Sequence, residues 1–120
     1  MNAMEKKWLI SRDVIEMIGG HLGIHAALVH DEMLQRFCNV GEDWFATKPR
    51  ELAEVLPYNA DEVARLLTVL QKHHLIARRR ADTGVGMYEY YVLEYYEVPE
   101  IINKKNLFGS GLGKIGEKYD

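Results

Sequence analysis

The chain has 120 residues, 48% of them hydrophobic, and therefore fits one domain with its own core. Its net charge of -3 argues against a general nucleic-acid coat, and its only cysteine, Cys38, cannot form an internal disulfide. The first apolar run stops at Ser11, too early for a secretory signal, and no later run could span a bilayer. We therefore expect a cytoplasmic protein with no membrane partner.

The order of the chain suggests three parts. We expect an N-terminal segment at 1–10, a folded domain at 11–98 and a flexible tail containing Gly and Lys at 99–120. Residues 1–3 precede a second methionine, Met4, and are read as a cloning remnant. Residues 49–80 carry six basic and four acidic side chains, whereas the segments before and after have net charges of -2 and -3. The only positive segment is thus the middle one.

The N-terminal half predicts two helices and a short strand. Ser11 can cap a first helix that Gly19 and Gly20 would end. A second helix, predicted over 22–37, is apolar on most of its surface and should be largely buried. A loop follows, and 44–46 then reads as a strand.

The middle of the chain predicts two helices joined by a tight turn. Thr47 is the expected cap of the first, with Pro49 in its first turn, and 56–59 forms the turn. Asn59 and Glu62 have the spacing of a capping box that would start the second helix. The inward face of that helix consists of Val63, Leu66, Leu67 and Leu70. Its outward face consists of Asp61, Arg65, Thr68 and Lys72.

A β-hairpin is predicted next. Its first strand begins at Leu75 and becomes basic at residues 78–80, 81–86 forms the tip, and the return strand at 87–93 is apolar on both faces. Because side chains alternate along a strand, Arg79 should face opposite to Arg78 and Arg80. Taken together, the pattern predicts a mainly α protein with a small antiparallel β-wing, a winged helix-turn-helix.

Three stretches resemble the winged-helix domains at the N-terminus of phage and plasmid replication-initiation and replisome-organiser proteins. Residues 20–29 resemble the Gly-Leu-x-x-Ala start of their buried helix, 44–47 their Trp-Phe strand, and 56–76 their turn and recognition helix. The resemblance covers 15–93 and implies binding of double-stranded DNA in replication initiation or local transcription control. The sequence departs from the pattern at His74, where a glycine usually closes the helix, and at the acidic pair Asp61 and Glu62.

The resemblance also implies a set of DNA contacts. The outward residues of the recognition helix would enter the major groove, and the arginines of the wing would bind phosphates. These candidate DNA-binding residues are Arg65, Thr68, Lys72, Arg78, Arg79 and Arg80.

Other motifs are weaker. His21, His25 and His30 form the best candidate metal set, but glycines interrupt the helix that would align them. The G-x-G-x-x-G at 111–116 follows no strand, and no P-loop is complete. No catalytic combination of side chains stands out. We therefore expect neither an enzyme nor a metal or other cofactor.

Two functions from different classes remain open. In the first, the chain binds duplex DNA, as the positive middle segment and the arginine run favour. In the second, it is a winged-helix module that binds protein and not DNA, as Asp61, Glu62 and the acidic total favour. The apolar return strand predicts a homo-oligomer, and the C-terminal tail is a candidate docking segment for a protein partner.

Overall fold

The computed structural model describes residues 7–81 and 87–98, which form four helices and one small antiparallel sheet. The helices are α1 (Arg12–Ile18), α2 (Gly23–Asn39), α3 (Pro49–Ala53) and α4 (Ala60–Lys72). The strands are β1 (Phe45–Thr47), β2 (Ile76–Arg80) and β3 (Tyr88–Val92), and a 3-10 turn follows at Tyr95–Glu97. The prediction of a mainly helical protein with a small antiparallel sheet is confirmed. The predicted cloning remnant, hairpin tip and C-terminal tail fall wholly or largely outside the described residues.

The helix ends follow local capping chemistry. The Ser11 hydroxyl accepts a hydrogen bond from the Val14 N–H at 3.2 Å, and Gly19, at φ 73°, ends α1. At α4, the Asn59 side chain accepts from the Glu62 N–H at 2.8 Å, and the Glu62 carboxylate accepts from the Asn59 N–H at 2.9 Å. The predicted capping box is therefore present, because both of its reciprocal bonds form.

His74 closes the turn after α4 in a left-handed conformation, with φ 63°. The next N–H, that of Leu75, donates back to the Leu70 carbonyl at 3.0 Å. This geometry usually selects glycine, but a histidine adopts it at lower cost than a branched residue. The position therefore ends the helix despite the missing glycine.

Thr47 does not cap α3, and the prediction that it does is wrong. Lys48 is the N-cap, without a side-chain hydrogen bond to the helix. Thr47 is instead the last residue of β1, paired with Tyr88, and its buried hydroxyl donates to Glu51 at 3.2 Å. Pairing with β3 holds the Thr47 backbone in the sheet, so the helix starts one residue later.

The sheet has the order β1-β3-β2, and both pairings are antiparallel. The face that carries Tyr90 and Val92 is buried, and β3 and β2 pack on α2 and α4 respectively. On the other face of β3, the Tyr91 ring contacts Phe37, with 4.6 Å between ring centroids. The apolar second face of the return strand is thus partly covered by the end of α2.

One continuous core joins the helices to the sheet. Its contributors from the middle segment include the inward leucines and Val63 of α4, Leu52 of α3 and Leu75 just before β2. The division of α4 into an inward and an outward face is confirmed, because Val63, Leu66, Leu67 and Leu70 are all buried. Among the described residues, no helix is both long and apolar enough to cross a membrane.

Two buried polar side chains of α2 tie distant segments to the core. Glu32, only 1% exposed, accepts hydrogen bonds from Trp8 Nε1 at 3.0 Å and from Arg36 Nε at 2.7 Å. His30, 2% exposed, donates from Nε2 to the Leu93 carbonyl at 2.7 Å. Burial lowers the pKa of His30 more than the Leu93 bond and the Asp31 charge raise it. These bonds fix the N-terminal segment and the end of β3 against α2.

Candidate nucleic-acid interface

The outward face of α4 carries the three helix residues predicted to contact DNA. Arg65, Thr68 and Lys72 are exposed, as is Asp61 one turn before Arg65. They recur every three or four residues and therefore form one stripe along the helix. The stripe lies opposite the buried leucines, so the packing of α4 on α2, α3 and β2 decides which side chains reach a ligand.

The polar groups of this stripe differ in what they can offer. The Thr68 hydroxyl donates to the Ala64 carbonyl within the helix at 3.1 Å, which leaves its oxygen free to act as an acceptor. Lys72 lies in the last turn, where a cation also complements the helix dipole. Arg65 is the member best suited to reading a base edge, because a guanidinium can bind guanine with two hydrogen bonds.

The acidic pair at the start of α4 has a structural role. Glu62 is bound to the Asn59 backbone in the capping box, and both acidic residues lie in the first turn, where negative charge stabilises the helix. Asp61 and Glu62 nevertheless remain exposed beside the stripe. Their charge would repel a phosphate placed over the first turn unless a neighbouring cation such as Arg65 offset it.

The three wing arginines do not form one surface. Arg78 and Arg80 lie on the face of β2 opposite to Arg79, as strand alternation predicts, with Arg78 across from Tyr90 and Arg80 across from Tyr88. The Arg78 guanidinium carbon lies 4.5 Å from the centroid of the Tyr88 ring, so this side chain packs in the sheet. Arg80 is exposed near the end of β2.

Arg79 is held by two neighbours on the outer face of the sheet. Its Nε donates to the Glu89 carboxylate at 2.6 Å, and its guanidinium carbon lies 4.1 Å from the centroid of the Trp44 ring. Trp44 in turn contacts Tyr91, with 5.6 Å between ring centroids. Trp44 is thus an anchor at the rim of the core, and Arg79 offers a partly neutralised charge.

A small groove next to the stripe contains a hydrogen-bonded pair that sequence reasoning missed. His25 Nδ1 and the Tyr58 hydroxyl oxygen are 2.7 Å apart, and the two rings meet edge to face. The groove has a volume of about 150 Å³ and is lined by Leu22, His25, Tyr58, Glu62, Arg65 and Leu66. The residues of the pair are 33 positions apart, so no local spacing could have linked them.

His25 and His30, two members of the candidate metal set, have different surroundings and different hydrogen-bond partners. His30 is buried and bound to the Leu93 carbonyl, whereas His25 is exposed and bound to Tyr58. Within 7–81 and 87–98, no three His, Cys, Asp or Glu side chains are grouped so that they could hold a metal ion.

A second cavity, of about 200 Å³, lies at the C-terminal end of α2. Aromatic and acidic side chains line it together, including Phe37, Tyr91, Tyr96, Glu42 and Glu97. Burial raises the pKa of Tyr91, and the negative charges of Glu97, Glu42 and Asp43 raise it further. This end of the molecule is therefore acidic.

Comparisons with known proteins add no family. No protein-family model matches the chain, and no curated protein and no solved structure matches it either.

Proposed function

We propose that the chain is a winged helix-turn-helix protein that binds double-stranded DNA, with α4 as its recognition helix and β2 and β3 as its wing. The order of the elements supports this proposal, since α3, a tight turn and α4 are followed by a two-stranded hairpin whose return strand also pairs with β1. The process served would be replication initiation of the phage or plasmid type, or local transcription control, as the resemblance implies.

The observation that carries the proposal is the exposed stripe of α4. Arg65, Thr68 and Lys72 lie outside, while the opposite face of the same helix is fully buried. An α-helix about 10 to 12 Å wide fits the major groove, so a rigid helix that presents polar side chains on one face can bring them to base edges. Arg80 is the wing residue best placed to bind a phosphate, because it is exposed and lies near the tip of the hairpin.

Fluorescence anisotropy with a mixed pool of duplexes, at two salt concentrations, tests the proposal. Each neutralised phosphate releases a condensed counterion, so about three to five contacts per monomer should give a log-log salt slope near -3 to -5. Replacing the three wing arginines together by alanine should flatten the slope by about one to three units. Absence of wild-type binding at low salt, up to tens of micromolar protein, would overturn the proposal.

A protein-interaction module is the second candidate function. It is favoured by the acidic pair on α4, by the neutralisation of Arg79, and by the acidic cavity beside Tyr91 and Tyr96. Such a module would bind its partner through an acidic and aromatic surface and would show no affinity for duplex DNA at low salt. The anisotropy experiment therefore separates the two candidates.

A further inference from the structure

The groove between the start of α2 and α4 lies beside the proposed DNA-binding stripe. Arg65 belongs to both, because it is exposed on the stripe and also lines the groove. Leu22 and Leu66 supply apolar lining, and the polar groups come from His25, Tyr58, Glu62 and Arg65. A volume of about 150 Å³ is below the roughly 300 to 1,000 Å³ of typical small-molecule pockets, but a single phosphate group needs far less room.

The hydrogen bond between His25 Nδ1 and the Tyr58 hydroxyl couples the tautomer of His25 to the direction of the bond. Burial raises the pKa of Tyr58, and the Glu62 charge raises it further, so the phenol keeps its proton and can serve as donor. When the Tyr58 hydroxyl donates to Nδ1 of His25, the proton of the neutral imidazole lies on Nε2. Because the His25 side chain is exposed, this Nε2–H is a donor available to a ligand.

Glu62 is the acidic side chain that lines the same groove, and one oxygen of its carboxylate is already hydrogen-bonded. Glu62 Oε1 accepts from the Asn59 N–H at 2.9 Å in the capping box. Arg65, on the same helix, brings a positive charge to the groove. His25 and Arg65 thus present two donors next to each other, an arrangement that favours an anionic oxygen ligand.

A duplex bound along α4 would supply such a ligand. An α-helix nearly fills the major groove, about 12 Å wide, so the two phosphate backbones must pass along its two sides. One of these sides is the flank where Arg65 meets α2. The groove therefore lies where a sugar-phosphate strand would run.

We propose that His25, oriented by Tyr58, donates from Nε2 to a DNA backbone phosphate next to Arg65. This inference rests on the proposed DNA-binding function and adds α2 and the turn before α4 to the binding surface. Tyr58 is a positioning residue, since it acts through the tautomer of His25.

The test compares His25→Ala with His21→Ala by duplex anisotropy at low salt and a single pH. His21 is a matched control, because it is exposed nearby but does not line the groove. His25→Ala should weaken binding about 3- to 10-fold, as expected for the loss of one ordinary hydrogen bond, and His21→Ala should leave binding unchanged.

Tyr58→Phe tests the positioning role through a spectroscopic readout that does not depend on DNA. Nitrogen-15 NMR of the wild type should show His25 with its proton on Nε2, and Tyr58→Phe should show a mixture of the two tautomers. Wild-type binding combined with identical behaviour of His25→Ala and His21→Ala would overturn the inference but leave the proposed function intact. Absence of wild-type binding would overturn the proposed function itself.

Discussion

Arg79 and Glu89 lie directly across from each other in the antiparallel pairing of β2 and β3, with 2.6 Å between the Arg79 Nε and the Glu89 carboxylate. An exposed ion pair of this kind contributes little to stability, typically below about 1 kcal/mol. Its effect on the proposed DNA binding should be larger, because it offsets one of the three positive charges of β2. The wing arginines should therefore differ in their contributions to DNA affinity.

The first prediction concerns those differences. Arg80→Ala should flatten the salt slope of duplex binding by about one unit, whereas Arg79→Ala should flatten it less, since Glu89 already neutralises Arg79. Glu89→Gln is the matched variant, and it should tighten binding and steepen the slope by freeing the Arg79 charge. Anisotropy over a salt series measures all three, and equal effects of Arg79→Ala and Arg80→Ala would contradict the prediction.

The second prediction concerns sequence preference. If Arg65 reads a guanine edge, Arg65→Ala should weaken the preferred site by about 1 to 3 kcal/mol and leave random duplexes nearly unaffected. The preferred site would first be selected from a random pool, and competition binding would then compare both DNAs. A uniform loss on both DNAs would instead assign Arg65 to a phosphate contact.

The third prediction concerns the two faces of α4. Leu67→Ala or Leu70→Ala should destabilise the fold by about 2 to 5 kcal/mol, because each empties a buried site in the core. Arg65→Ala should change stability by less than about 0.5 kcal/mol, as expected for an exposed side chain. Urea denaturation followed by circular dichroism makes the comparison, and similar midpoints for the two classes would refute the assignment of the faces.

The fourth prediction concerns pH. Burial lowers the pKa of His30 below its ordinary value of 6.5, so the unfolded chain takes up the proton more readily than the folded one. This difference in pKa contributes to the free energy of unfolding. The contribution is fully present above pH 6.5 and is lost as the pH falls through 6.5 toward the folded-state pKa.

Denaturation at a series of pH values checks this effect. His30→Gln can still donate to the Leu93 carbonyl but cannot titrate, so it should lose less stability on acidification than the wild type. His21→Gln, at an exposed position, serves as the control for the removal of a histidine side chain. An unchanged acid response of His30→Gln would show that another group is responsible.

The fifth prediction concerns self-association. Leu9 is 86% exposed and Tyr96 is 66% exposed, both high values for large apolar side chains. The Leu9 N–H donates to Asp31 at 2.9 Å, and the adjacent His30 donates to the Leu93 carbonyl at 2.7 Å, so the N-terminal segment and the end of β3 both lie against α2. We expect a homodimer through this surface, and Leu9→Glu or Tyr96→Glu should weaken it. A wild-type monomer at tens of micromolar in analytical ultracentrifugation would refute the prediction.

The elements with strong local signals could be predicted from the sequence. The 3.6-residue spacing of Val63, Leu66, Leu67 and Leu70, together with the Asn59 capping box, determined the position and the inward face of α4. Ser11 and Gly19 determined the ends of α1. Strand alternation likewise separated Arg79 from its two neighbours, because side-chain direction along a strand depends only on position.

Only the tertiary structure decided which of these side chains remain available to a ligand. The partnership of Arg79 with Glu89 and Trp44 depends on the register of three strands, and that of His25 with Tyr58 depends on how α2 packs beside α4. Thr47 was misassigned for the same reason, since its pairing with Tyr88 overrides its local preference for a helix cap. Local patterns specify periodicity and caps, whereas contacts between distant segments depend on how the core brings whole elements together.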